Sequence, residues 1–71
     1  MATDLCIALG QRIRAARLAR GWRQIDLAEQ SSVNEIHISD LERGTREAGI
    51  NTLRKIAVAL DTTMAALLKG L

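Results

Sequence analysis

The sequence predicts an all-α fold on three observations. Apolar residues recur at intervals of three and four along successive stretches, the spacing that lines one face of a helix. No segment alternates apolar and polar residues with the period of two that a half-buried strand requires. The 71 residues include no proline and five glycines and are rich in Ala and Leu, a composition that favours helix throughout.

Five helices follow in order. The first is expected from Asp4 to Arg20, with Leu5, Leu9, Ile13 and Ala16 on one face and Arg12, Arg14 and Arg20 on the flanks. It stops at Gly21, a residue suited to the left-handed conformation. The second spans Gln24 to Gln30 with Leu27 and Ala28 inward. The third starts after the N-cap residue Asn34 and ends near Arg43, before Gly44. The fourth covers Thr52 to Leu60 with Leu53, Ile56, Ala57 and Leu60 on one face, its start open between Gly49 and Asn51. A short fifth helix is capped by Thr62 or Thr63 and closes at Gly70. No linker, repeat or low-complexity stretch divides the chain, so residues 1–71 read as one domain. Chains this short bury only about 60% of their unfolded surface, so a thin core and help from oligomerisation are expected.

Composition excludes several classes. Ile56 to Leu60 is typical of the apolar runs and far too short to span a bilayer. No leader pattern is visible at the start, and a reducing cytoplasm is the expected location. Cys6 and His37 are single, so neither an internal disulfide nor a zinc site is expected. Enzyme chemistry lacks material: no glycine-rich phosphate loop, no paired metal ligands, and one imidazole as the sole base for a Ser or Cys nucleophile. No cofactor is expected. Trp22 is the only aromatic residue and reads as core filling, which argues against surfaces that stack single-stranded bases. Cys6 reads as a small apolar residue and His37 as a half-buried one. The net charge of +2 is unevenly spread: residues 1–23 carry +4, residues 24–47 carry −4, and residues 48–71 carry +2. A basic first third suits a phosphate partner, and the acidic middle opposes one.

Residues 24–43, QIDLAEQSSVNEIHISDLER, carry the functional signal. Two short helices joined by a three-residue turn need a small residue where they touch, and Ala28 supplies it. Leu27, Val33, Ile38 and Leu41 form the inner seam, which leaves Glu35, Ile36, Ser39 and Asp40 outward. This is a helix-turn-helix layout, whose second helix enters the major groove of double-stranded DNA.

Over residues 10–68 the chain resembles the phage repressor/Cro family, also called the xenobiotic-response-element family. The matching pieces are Ile13-Arg14-x-x-Arg17, Gly21-Trp22-x-Gln24, Leu27-Ala28-Glu29, Ile38, Glu42-Arg43-Gly44 and Leu53-x-x-Ile56-Ala57-x-x-Leu60. The length is similar to that of the controller proteins of restriction–modification operons. The resemblance implies a lambda-repressor-like five-helix domain and a transcriptional regulator. It implies that Gln24, Arg43, Thr45 and Arg46 meet the DNA backbone, that Glu35, Ile36 and Asp40 lie where bases are touched, and that Arg17 and Glu42 form a structural ion pair. Three departures from the family pattern stand out. Arg23 occupies the cap position of the second helix, Ser32 a turn position that prefers glycine, and Ala48 a common proline position.

Glu35 and Asp40 face a groove walled by phosphate, and three readings stay open. They can accept from cytosine N4, reject misaligned phosphate-rich contacts, or mark a copy that binds DNA poorly. The last gives a rival reading, a protein–protein adaptor on the same fold. For a DNA regulator a homodimer on a palindromic operator is expected, because one small domain reads few base pairs. Met64, Leu67, Leu68 and Leu71 share one face of the fifth helix and tail and are the interface candidates, with Ile50 a neighbour.

Overall fold

Three of the five helices open on a side-chain cap. A computed structural model describes residues 3–71, and among them are five helices and no strand: α1 (Asp4–Ala19), α2 (Gln24–Ser31), α3 (Glu35–Arg43), α4 (Ile50–Ala59) and α5 (Met64–Leu68). Thr3 Oγ1 accepts from the Cys6 N–H at 3.1 Å, Asn34 Oδ1 from Ile36 at 2.8 Å and Thr63 Oγ1 from Ala66 at 3.0 Å, capping α1, α3 and α5. α2 runs one residue past its expected end. α4 begins at the earlier of its two possible starts, after Gly49, which offers no side-chain cap.

One fully buried residue from each of the four longer helices meets at the centre: Ile13, Leu27, Ile38 and Ile56. Leu41, Leu53, Leu60 and Leu67 complete the core, and Trp22 and Met64 pack against it. α3 lies against α1 and α2, α4 against α2, and α5 closes across α1 and α4. The side chain of Arg12 secures that closure by donating to the carbonyls of Leu67 and Lys69, the last of which sits beyond the end of α5. Leu5 departs from expectation: it is 54% exposed and lines an open apolar groove of about 290 Å³ with Cys6, Leu9, Ala48, Ile50 and Leu68.

The α1–α3 contact has almost no clearance. A Cβ on Gly10 would lie 2.3 Å from the carbonyl oxygen of Leu41. At Gly44, φ is +75° and a Cβ would lie 2.6 Å from Ile7 Cα. Gly44 also terminates α3. Its N–H returns to Leu41 O at 3.1 Å and the Thr45 N–H to Asp40 O at 3.1 Å, the paired bonds of a left-handed helix end.

A buried ion pair crosses the same contact. Arg17 Nε donates to Glu42 Oε2 at 2.7 Å and Nη2 to Oε1 at 3.0 Å, while Nη1 donates to the Trp22 carbonyl at 2.7 Å. The two side chains are 8% and 2% exposed, so the fork joins α1, the α1–α2 corner and α3 away from water. Hydrogen bonding to Glu42 raises the Arg17 pKa above its ordinary value, with burial opposing.

Three substitutions test these contacts and the start of α4. Gly44→Ala combines a positive φ with a backbone clash and is expected to cost at least about 2 kcal/mol, lowering the melting temperature by about 8 °C or more. Gly49→Ser, where a Cβ meets nothing within 4 Å, should instead gain a few tenths of a kcal/mol by supplying the missing cap. Glu42→Ala strands the Arg17 cation, and urea denaturation should show a loss of about 3–5 kcal/mol. The double replacement Arg17→Met with Glu42→Leu should recover most of it.

Candidate nucleic-acid interface

α2 begins without a side-chain cap. Arg23 stands at the cap position, and its guanidinium has donors but no acceptor. The Asp26 carboxylate accepts from the Arg23 N–H at 2.8 Å and from its Nη2 at 3.1 Å, which forms half of a capping box. The Arg23 guanidinium, and then its N–H, hold the Asp26 carboxyl below its ordinary pKa. The Gln24 and Ile25 N–H groups, among the described residues, have no side-chain acceptor. Gln24 is half-buried, and its Nε2 donates to Glu42 Oε1 at 3.2 Å. The residue expected at a phosphate is therefore held by the same carboxylate that braces α3.

The turn into α3 is stitched by residues the sequence reading passed over. The Val33 N–H donates to the buried Ser31 Oγ at 3.3 Å, and that hydroxyl faces the Ala28 carbonyl at 3.5 Å. Ser32 takes φ +59°, the left-handed conformation the glycine position demands. Ile38, Leu41 and Glu42 point inward from α3, Glu35 is exposed and Ile36 is 73% exposed. His37 is half-buried with Nε2 enclosed, so it faces packing rather than the outer surface.

Asp40 is not a free outward acid. Arg43 Nη2 donates to its Oδ1 at 2.6 Å, Arg46 Nε stands 4.0 Å from its Oδ2, and the carboxylate is 22% exposed. Ion pairs with one partner this exposed contribute about 0–1 kcal/mol. Thr45 Oγ1 donates to the Asp40 carbonyl at 3.2 Å and so helps to close α3. The arginines of α1 and its C-cap disperse: Arg12 goes to α5, Arg17 to the interior, Arg14 stays exposed, and Arg20 lies 4.6 Å above the Trp22 ring. Arg43 and Arg46 are the cations gathered at α3.

The acidic middle of the chain is largely matched from within. Asp26 pairs with Arg23, Asp40 with Arg43, and Glu42 with Arg17. Half of the acidic residues between 24 and 47 are thus compensated by arginines.

The expected interface stripe is only partly outward. Leu67 is 5% exposed and fills the core beneath α5, which removes it from the candidate interface, because α5 needs it to seat on Leu60 and Ile56. Met64 is half-buried. Leu68 and Leu71 are 38% and 44% exposed, and Ile50, on the groove rim, is 77% exposed. No helix among the described residues is long and apolar enough to cross a membrane.

Comparison with known proteins places this geometry. The profile of the helix-turn-helix family matches residues 13–67. A helix-turn-helix-type transcriptional regulator, y4dL, of Sinorhizobium fredii is 45% identical over 51 residues, which are 72% of this chain and 26% of that protein. The control protein C.BamHI of Bacillus amyloliquefaciens is 34% identical over 61 residues, covering 84% of this chain and 75% of its own. The crystal structure of the restriction–modification controller protein C.AhdI from Aeromonas hydrophila superposes with a TM-score of 0.85 at 34% identity, over 87% of this chain and 94% of that one. The chain therefore spans about a quarter of the rhizobial regulator and most of the two controller proteins. With the motif, the five-helix order and the buried brace in place, this chain belongs to the helix-turn-helix family of DNA-binding transcriptional regulators of the phage repressor, xenobiotic-response-element type.

Proposed function

We propose that the chain is a cytoplasmic transcriptional regulator that binds palindromic double-stranded DNA as a homodimer, with α3 in the major groove. The observation that carries the reading is the junction at the start of α2. Uncapped N–H groups and the side chain of Gln24 are fixed against α3 through Glu42, so phosphate anchoring and groove insertion share one rigid body. Arg43 and Arg46 supply further phosphate contacts, and Glu35 and Ile36 are the base-facing candidates, Ile36 toward a thymine methyl group. The internal pairing of Asp26, Asp40 and Glu42 compensates half of the acidic residues that favoured a protein–protein adaptor.

Assembly follows from size. The longest dimension of the Cα trace is 26 Å, whereas successive major-groove faces recur at roughly 34 Å. Two copies related by a two-fold axis would span both. Leu68, Ile50 and Leu5 line one apolar groove and, with the exposed Leu71 near the end of the chain, are the surface such an axis would bury.

Gln24→Ala and Arg46→Ala should weaken binding to all duplex sequences alike in gel-shift titrations, with Arg46→Ala flattening the salt dependence by up to about one unit. A change confined to sequence preference would contradict a backbone role. For assembly, Leu68→Asp should give a helical monomer in sedimentation with operator affinity greatly reduced. Tight operator binding by a monomer of the unmodified chain would defeat the dimer.

A further inference from the structure

The acid on the DNA-facing helix has its charge directed at the two cations that would otherwise serve the DNA. Asp40 holds Arg43 through Oδ1 at 2.6 Å and reaches Arg46 through Oδ2 at 4.0 Å. Each arginine is more than half exposed, at 64% and 54%, while the carboxylate is sheltered at 22%. The carboxylate is therefore held in place and the arginines are free to leave it. The Asp40 carbonyl takes both the N–H and the hydroxyl of Thr45, which fixes the loop carrying Arg46 relative to the acid.

We propose that Asp40 sets the protein's affinity for DNA phosphate through Arg43 and Arg46 rather than by touching bases. It rests on the DNA-binding reading above. Its carboxylate competes with DNA phosphate for both guanidinium groups. Binding to arbitrary sequence is almost wholly phosphate neutralisation with counterion release, so two arginines already carrying an internal counterion contribute less to it. A matched site adds groove contacts that do not pass through these arginines, so the clasp lowers matched and random affinity by the same factor. An exposed pair is worth no more than about fivefold in an equilibrium constant, so the clasp biases binding without blocking it.

The test uses the full chain, a random-sequence 25-base-pair duplex, a duplex selected by the unmodified protein from a randomised pool, and immobilised heparin. Asp40→Asn should bind the random duplex about three- to fivefold more tightly at low salt, with a salt slope steeper by about one to two units. The ratio of selected to random affinity should stay unchanged. Glu29→Gln, an exposed change of equal charge, should do markedly less. With both arginines replaced by alanine, Asp40→Asn should shrink to the Glu29→Gln effect. Equal effects with and without the arginines would reduce Asp40 to net charge and overturn the proposal. Loss of preference at one base pair with unchanged random affinity would overturn it in favour of a base contact. Heparin elution at higher salt for Asp40→Asn than for Glu29→Gln tests the clasp independently of DNA. If no duplex binds, the DNA reading fails while the heparin result still decides for or against the clasp.

Discussion

Everything outward on this protein is referred to one inward carboxylate. Glu42 accepts from Arg17 of α1 and from Gln24 of α2 while belonging to α3, so three helices share a single fixed point. A buried ion pair is poor evidence of net stability, because desolvation consumes much of the attraction. What it supplies here is direction. A bidentate guanidinium fork admits little rotation, and the third arginine nitrogen is engaged at the Trp22 carbonyl. The pair sits beside a backbone approach so close that Gly10 and Gly44 admit no Cβ. Apolar packing could slide along that contact, but a charged pair with all three guanidinium nitrogens engaged could not.

The same arginine–carboxylate chemistry is used at three depths with different consequences. Inside, Arg17–Glu42 fixes helix geometry. At the start of α2, Arg23–Asp26 substitutes for a missing cap. At the end of α3, Arg43–Asp40 is exposed enough on the arginine side to be exchanged for another anion. Burial sets the exchange cost, and so determines which pair holds the fold and which can yield to phosphate. The basic first third of the chain becomes, in three dimensions, largely structural: Arg12, Arg17, Arg20 and Arg23 all have partners within the protein.

How much of this was legible in the sequence depended on the range of each interaction. Ile13, Leu27, Ile38 and Ile56 follow from periodicity, and Asn34 and Gly44 from capping rules, because those signals lie within one turn of the chain. The Arg17–Glu42 pair was reachable only through family resemblance, since 25 residues separate its partners. Gly10 gave no local sign: a mid-helix glycine is explained only by the carbonyls of α3 lying against it. Arg12 read as a flank charge because its acceptors lie 55 and 57 residues away. Leu5 and Leu67 show the limit of the helical stripe. Both satisfy the pattern, yet the first overhangs the body and the second is covered by it, and periodicity does not encode where a neighbouring helix ends.

The helix-turn-helix unit is locally the least favourable part of the chain. α2 has eight residues and starts on an arginine that cannot cap it, and its exit requires a serine at φ +59°, a strain of order 1 kcal/mol or more. Helices of this length are marginal alone in water. Their persistence must come from Leu27, Ala28, Ile38 and Leu41 being buried against α1 and α4, with Glu42 locking the join. The angle at which α3 is presented is therefore a property of the whole core and not of the turn. That leaves the surface of α3 free to change, because Glu35, Ile36 and Arg43 are exposed and carry none of the packing. Asp40 is the exception on that face, because its backbone closes the helix while its side chain gathers the cations.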